Sequence, residues 1–201
     1  MKVFANKIGT THIYDEKNNH KIVTVLQLRK TTVEKLKTND SDGYCALVFV
    51  ESDPKIKSKK PVQGQFKNVV NPRYITEERV SEEKIQEAKI SDELRVDGFN
   101  IGDKITVVSK TKGKGFQGTI KRHSFNTGPK THGSHNYRQP GSIGATYPER
   151  TLKGKKMAGH MGNVVHTQKN KMVVRVEQEL NRIWINGHIS GANKSRLLIT
   201  K

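Results

Sequence analysis

The residues with the clearest chemical character lie between Lys110 and Gly162. This stretch contains eleven Lys or Arg residues, a single acid, Glu149, and ten of the seventeen glycines of the chain. Large apolar residues are sparse in it, and no helical or strand period persists from end to end, so it cannot bury a core of its own. Dense positive charge on a glycine-rich backbone is typical of segments that bind an irregularly shaped polyanion. Folded RNA is the obvious candidate.

Three kinds of residue in this stretch are candidates for RNA contacts. Lys and Arg side chains can neutralise phosphates, glycines allow the backbone to approach closely, and histidines can stack on bases or hydrogen-bond to them. The candidates are Lys110, Lys112, Gly113, Lys114, Gly115, Lys121, Arg122, His123, Lys130, His132, His135, Arg138, Arg150, Lys153, Lys155, Lys156 and His160. For any one histidine, simple surface exposure is the alternative. His132 and His135 have the spacing of a metal pair, but no cysteine or acid accompanies them, so no metal site is predicted.

Four aromatic residues, Phe116, Phe125, Tyr137 and Tyr147, are interleaved with these charges. Aromatic side chains among cations can stack on unpaired bases. The alternative is that they pack the segment against itself or against the rest of the protein. For Phe116 we favour this second interpretation.

The glycines at 113, 115 and 118 match the GxGxxG fingerprint of dinucleotide-binding proteins. The match follows a predicted strand, but residues 119–125 lack a helical pattern, and the acid expected about 20 residues later is absent. Nor does a βαβ unit surround it. We therefore interpret these glycines as backbone that can approach phosphates, with Lys112 and Lys114 beside it.

A catalytic constellation is missing from the sequence. Ser134, Ser142 and His135 are neighbours, but no orienting acid accompanies them. The sequence therefore predicts a protein that is not an enzyme and that has no cofactor and no small-molecule substrate.

The charge distribution separates this stretch from the rest of the chain. The 201 residues carry a net charge of +18, of which +10 lies between Lys110 and Gly162, and apolar residues make up 32%. The sequence has no apolar run typical of a secretory signal or a membrane span. The single cysteine, Cys45, favours a reducing, cytosol-like compartment. This pattern indicates a nearly balanced globular body with a basic element inserted in it.

Short β-branched and aromatic runs bounded by turn signals predict a mainly β body. The predicted strands are 3–8, 22–29, 44–51, 73–80, 94–108 with Gly98 and Gly102 punctuating it, 164–166, 171–177, 182–185 and 196–200. A short helix is predicted over 81–89, with Ser81 as its cap and two acids in its first turn. Residues 62–70 form either a short helix or a loop. Because closely spaced strands flank the basic stretch on both sides, we expect one small closed barrel.

Two long runs resemble the bacterial form of the large-subunit ribosomal protein L3 family. They are SKTKGKGFQGTIKRHSF, from Ser109, and THGSHNYRQPGSIGATYPERTLKGKKMAGHMGN, from Thr131. The opening KIGTTHIY, from Lys7, is also similar to that family. The likeness spans almost the whole chain, and its central motifs are long and specific.

This resemblance implies a six-stranded β-barrel body and a long extension that reaches through ribosomal RNA toward the peptidyl-transferase region. It also implies direct binding to large-subunit ribosomal RNA, an early role in subunit assembly, and other large-subunit proteins as neighbours. The residues that match the family's motifs are Lys112, Lys114, Lys121, Arg122, Lys153, Lys155 and Lys156. Ala145 stands where many bacterial members have a glutamine that a methyltransferase modifies, so we expect that modification to be absent.

The sequence thus predicts a mainly β protein in three segments. Residues 1–109 form the first part of the barrel body with a short helical insertion near 81–89, residues 110–162 form a basic RNA-binding extension, and residues 163–201 supply the closing strands. The predicted function is that of a structural constituent of the large ribosomal subunit in the cytoplasm, with an organellar ribosome less favoured. A non-ribosomal RNA chaperone or ribosome assembly factor is the alternative. No membrane partner is expected.

Overall fold

The computed structural model describes residues 1–14, 18–53, 56–66 and 68–201. These residues divide into two units, the first formed by Met1–Lys110 and Val165–Lys201, the second by Thr111–Val164. Within the described ranges the longest helices have six residues, and none has the length and apolarity needed to cross a membrane.

Strands dominate the described part of the chain. In chain order the elements are β1 (Lys2–Tyr14), β2 (His20–Leu28), β3 (Thr31–Lys37), α1 (Asn39–Asp42), β4 (Ala46–Ser52), α2 (Lys60–Gln65), β5 (Pro72–Arg79), α3 (Glu82–Glu87), β6 (Glu93–Leu94), a 3-10 helix (Val96–Gly98), β7 (Lys104–Lys110), β8 (Gly115–Gln117), α4 (Thr119–His123), β9 (Gly159–Met161), β10 (Val165–Glu177), β11 (Arg182–Asn186) and β12 (Arg196–Thr200). The first unit holds a closed barrel in the order β1-β12-β7-β10-β11-β2 and a four-stranded sheet in the order β5-β4-β3-β6.

The barrel encloses an apolar core because its strands alternate between inward apolar and outward polar positions. All six neighbouring pairs are antiparallel. The core consists of Val3, Ala5, Leu26, Leu28, Val96, Phe99, Ile105, Val107, Val173, Ile183, Ile185, Ile189, Leu197 and Ile199. The mainly β fold and the closed six-stranded barrel are therefore confirmed.

A lysine continues the inward alternation of β1. Lys7 follows Val3 and Ala5 at every second position and is only 2% exposed. Its Nζ donates hydrogen bonds to the main-chain oxygens of Ile189, at 2.6 Å, and Gly191, at 3.3 Å. A buried ammonium is tolerated where carbonyl oxygens replace water, so Lys7 fixes the 189–191 loop at this end of the barrel.

A charged network joins the end of β2 to the four-stranded sheet. Arg29 Nε donates to Glu51 Oε1 at 2.7 Å, and Arg29 Nη2 donates to Asp53 Oδ2 at 2.9 Å. Arg73 Nη1 also donates to Asp53 Oδ2, at 2.8 Å. Burial lowers the pKa of Arg29, but the hydrogen bonds and charges of Glu51 and Asp53 outweigh it, so the pKa is raised overall.

The predicted strands differ from the structure at three places. The strand predicted over 94–108, with Gly98 and Gly102 punctuating it, forms only in part, because the 3-10 helix Val96–Gly98 buries Val96. The predicted turn is present, since Gly102 has a φ of +93° and β7 begins after it. Strand β3 was missed, since its sequence TTVEKLK mixes charged residues with apolar ones and a bulge between Val33 and Lys35 interrupts the alternation. The predicted strands 164–166 and 171–177 form the single strand β10.

The helix predicted over 81–89 forms as α3. Ser81 occupies the position before its first turn with an extended backbone, but its side chain makes no capping hydrogen bond. For residues 62–70 the sequence allowed either a short helix or a loop. The part up to Gln65 belongs to helix α2, and Lys67 lies outside the described residues.

Candidate nucleic-acid interface

The second unit begins and ends with paired chain segments. Thr111 N–H donates to the main-chain oxygen of Val164 at 2.9 Å, and Lys114 N–H donates to that of Met161 at 2.9 Å. Beyond these bonds β8 pairs antiparallel with β9. Residues 118–158 therefore form an insertion between two strands that hold its base together.

Gly162 allows the two segments to approach this closely. Its φ is +73°, a conformation that side-chain-bearing residues rarely adopt, and a Cβ there would overlap the main-chain oxygen of Lys112. The lysines that the sequence pairs with the fingerprint glycines, Lys112 and Lys114, are both exposed at this base.

A short helix follows the fingerprint glycines, contrary to the prediction for residues 119–125. Helix α4 begins after Gly118 and ends at His123, and Ser124, whose φ is +58°, follows it. Thr119 is 4% exposed and is the only buried residue of the second unit, all of whose residues are described. Five residues are too few to give a helical period in the sequence. The dinucleotide interpretation still fails, because β8 pairs antiparallel with β9 instead of belonging to a βαβ unit.

The last turn of α4 carries Lys121, Arg122 and His123. Arg122 Nη1 donates to the main-chain oxygen of Met157 at 2.7 Å, and His123 Nε2 lies 3.0 Å from the same oxygen. A Cβ at Gly159 would lie 2.7 Å from Arg122 Nη1, so the glycine leaves room for the guanidinium. Two of the predicted RNA-binding residues are thus hydrogen-bonded within the unit, whereas Lys121 is exposed.

A second backbone contact lies further along the insertion. Gly128 N–H donates to the main-chain oxygen of Tyr137 at 2.9 Å, and a Cβ at Gly128 would overlap the main-chain oxygen of Asn136. Lys130 Nζ lies 5.2 Å from the centroid of the Tyr137 ring, within range of a cation–π interaction. His132 and His135 lie between these residues, and both are exposed.

The positive charge of the second unit is open to solvent. Every residue from 138 to 156 is exposed, and this range includes Arg138, Arg150, Lys153, Lys155 and Lys156. Lys110, the last residue of β7 in the first unit, is exposed as well. Within the part of the chain that the structure describes, none of the eleven cations from Lys110 to Lys156 forms an ion pair. Their charges are therefore available to an external polyanion.

The aromatic residues of this unit differ in exposure. Phe116, opposite His160 on the β8–β9 pair, is 76% exposed, and Tyr147 is 81% exposed. The interpretation that Phe116 packs against the protein is wrong, because three quarters of its side chain is open to solvent. Phe125 is half-buried, with its ring centroid 6.1 Å from that of His123. Among the residues described, no group of three or more His, Cys, Asp or Glu side chains is placed to hold a metal ion.

The family described as Ribosomal protein L3 matches residues 72–192 of the chain. The chain belongs to the ribosomal protein L3 family. This L3 family member is 39% identical over 199 residues to the protein named Large ribosomal subunit protein uL3 of Alkaliphilus metalliredigens, covering 98% of this chain and 95% of that protein. It is 41% identical over 203 residues to the protein of the same name of Brachyspira pilosicoli, covering 99% and 92%.

The comparisons confirm the resemblance that the basic motifs indicated. Both relatives are named as ribosomal proteins and not as enzymes, in agreement with the prediction that the chain is not an enzyme. The family match at residues 72–192 includes the whole second unit.

Proposed function

We propose that this L3 family member is a structural constituent of the large ribosomal subunit and that it binds large-subunit ribosomal RNA directly through residues 110–162. The observation that carries the proposal is the set of eleven exposed or partly exposed cations without an ion pair among the described residues. In isolation these charges repel one another, and an RNA backbone would supply the missing counter-charges. The relatives, named as large-subunit proteins, support the same assignment.

The proposed contacts divide by residue type. Lys112, Lys114, Lys155 and Lys156 are exposed and suit phosphates, whereas Arg122 and His123 position the insertion through Met157 and also face the RNA. The exposed His132, His135 and His160 suit contacts with bases. Residues 163–201 and 1–109 supply the barrel body that anchors this extension.

The proposal includes an early role in assembly. A segment with one buried residue has no core to order it, so it would order against RNA as the RNA itself folds. The RNA can fold around such a segment more easily before the RNA itself has become compact. By resemblance to the family, the extension runs toward the peptidyl-transferase region, other large-subunit proteins are neighbours, and the location is the cytoplasmic ribosome.

The test measures affinity for a large-subunit ribosomal RNA transcript as a function of salt. If about six phosphates are neutralised, log affinity should fall against log salt with a slope of roughly −5, and replacing Lys112, Lys114, Lys155 and Lys156 by Gln should flatten that slope by about 3. The matched control replaces four exposed lysines of the first unit, Lys57, Lys59, Lys60 and Lys89, and should change the slope much less. An unchanged slope in the first variant would contradict the proposal.

A second measurement separates the proposal from the alternative of an RNA chaperone or assembly factor. A structural constituent should remain with large subunits in stoichiometric amount after a salt wash. Loss of the protein in that wash would favour the alternative.

A further inference from the structure

Three aromatic rings form a cluster on the β1–β2 hairpin, outside the basic segment. The ring centroids of His12 and His20 are 5.0 Å apart, and Tyr14 lies with its ring edge-on to both, at 5.9 Å from His12 and 5.8 Å from His20. The register explains the cluster, since Tyr14 pairs with His20 and His12 pairs with Ile22. Alternation places these four residues on one face of the hairpin.

The cluster lies where the hairpin has left the barrel. Among the described residues, β12 pairs with β1 only as far as Asn6, and β11 pairs with β2 only as far as Val23. From Gly9 to Tyr14, β1 pairs with β2 alone. The rings are therefore open to solvent: Tyr14 is 63% exposed, Ile22 is 51% exposed, and both histidines are exposed.

Cross-strand ring contacts stabilise a hairpin, but this stabilising role does not explain why the three rings are exposed to solvent. None of the three side chains has a hydrogen bond or an ion pair within the described part of the chain. The polar edges of the rings thus have no partner among the described residues, and the outer surface of the cluster is exposed. Aromatic residues displayed on strands are a common platform for unpaired bases, which stack on the rings and hydrogen-bond at their edges.

We propose that His12, Tyr14 and His20 form a stacking site for an unpaired base of the RNA. This inference rests on the proposed function, because it assumes that RNA is the partner. Lysines are the only charged residues of β1 and β2. Asp15, Glu16 and Lys17, which lie outside the described residues, follow Tyr14 in the sequence, and the two acids offset the charges of Lys17 and Lys21. Attraction to phosphates is therefore weak here, and the stacking site should contribute specificity for single strands with little dependence on salt.

The experiment uses the full chain and two probes, a short single-stranded RNA that carries a fluorescent adenine analogue and a blunt duplex of the same sequence. The test variant is His12→Thr, Tyr14→Thr and His20→Thr together, because Thr preserves strand propensity. Since one stacked base contributes a factor of about ten or more, single-strand affinity should fall by about that factor. Duplex affinity and the salt slope should not change. The control Tyr14→Phe keeps the ring and should bind as the unmodified chain does.

A spectroscopic measurement on the unmodified chain keeps the test independent of the variant's folding. The ring-proton resonances of His12 and His20 should shift on addition of the single strand and remain in place with the duplex. Unshifted resonances, or equal single-strand affinity in the triple variant, would overturn the inference. If RNA binding were unchanged but the variant were lost from salt-washed large subunits, the rings would contact a protein neighbour, and the inference would also be wrong.

The two proposals fail in different ways. The four-lysine variant tests the basic segment and should weaken binding to both probes while it flattens the salt slope. The triple ring variant should affect only the single strand. If the four-lysine variant bound RNA more weakly and the triple ring variant bound it as the unmodified chain does, the proposed function would be supported and the stacking site would be excluded.

Discussion

The guanidinium of Arg122 donates a hydrogen bond from Nη1 to the main-chain oxygen of Met157 over 2.7 Å. The two residues flank residues 123–156, so this bond closes the insertion near its base. His123 contributes a second contact, since its Nε2 lies 3.0 Å from the same oxygen. Arg122 therefore has a positioning role in addition to its charge.

The first prediction separates that positioning role from the charge. A methyl group at Gly159 would lie 2.7 Å from Arg122 Nη1, so Gly159→Ala should displace the guanidinium while leaving the net charge unchanged. The loss of one charge-assisted hydrogen bond, roughly 1.5 kcal/mol, should speed hydrogen exchange within residues 124–156 and weaken affinity for ribosomal RNA by about tenfold. Gly144→Ala is the matched control, because a Cβ there meets nothing within 4 Å. Equal effects of the two substitutions would contradict the positioning role.

The second prediction concerns the buried ammonium of the barrel. Lys7→Met keeps the length of the side chain but leaves the main-chain oxygens of Ile189 and Gly191 without their donor. Because an unsatisfied buried polar group costs about 1–3 kcal/mol, the free energy of unfolding in urea should fall by about 2 kcal/mol. Lys104→Met, on an exposed position of β7, should change it by less than about 0.5 kcal/mol. A smaller loss for Lys7→Met than for Lys104→Met would show that the loop does not depend on the ammonium.

The strands of the barrel could be predicted where the alternation of apolar and polar residues was compatible only with a strand. Strand β12 follows its predicted bounds because Leu197 and Ile199 alternate with outward residues and both are buried. Strand β3 lacks such a signal. The sequence around Lys35 and Lys37 does not favour a strand, and pairing with β4 holds these residues in one. The number of strands came from the resemblance to the family and not from the pattern.

The second unit was less predictable, because its structure depends on contacts between distant residues. Helix α4 is held by Thr119, which is buried, and by Met157, whose oxygen accepts from residues more than 30 positions earlier. A local pattern of apolar and polar residues cannot indicate contacts between residues so far apart in the sequence. The ring cluster at His12, Tyr14 and His20 was missed for a similar reason, since it depends on the exact register of β1 with β2.

The third prediction concerns pH. Hydrogen bonds from Lys201 Nζ, at 2.6 Å, and from the Asn100 amide, at 2.7 Å, hold the pKa of Asp103 below its ordinary value. A carboxylate whose pKa is lower in the folded state stabilises the protein fully above its unfolded pKa of about 3.9 and loses that contribution as the pH falls through the folded value. Asp103→Asn should therefore lower the Tm near neutral pH, and the difference should shrink below about pH 4.

The control for Asp103 is Asp97→Asn. It changes the charge equally, and Asp97 is exposed and forms no ion pair with any residue that the structure describes. Its Tm should remain close to that of the unmodified chain at neutral pH. If both variants shifted alike, the effect would come from net charge and not from the bonds of Lys201 and Asn100.

The last prediction concerns the order of the basic segment in the free protein. The segment has few internal contacts, because Thr119 is its only buried residue and residues 138–156 are all exposed. Lys130 has the ring of Tyr137 as a neighbour, a contact worth about 0.5–1 kcal/mol at an exposed site, which is too little to hold the chain against a protease. Trypsin should therefore cut the isolated protein rapidly after Lys130 and Arg138, and slowly after Lys104 in the barrel strand β7.

In assembled large subunits the same two sites should be protected, because phosphates would supply the partners that the free segment lacks, and ordering would occur on binding. Limited proteolysis with mass spectrometry of the released peptides measures both states. Lys104 serves as the internal control, since its cleavage should be slow in each. Equal and slow cleavage after Lys130 and Arg138 in both states would mean that the segment is ordered before it meets RNA, and ordering on binding would be excluded.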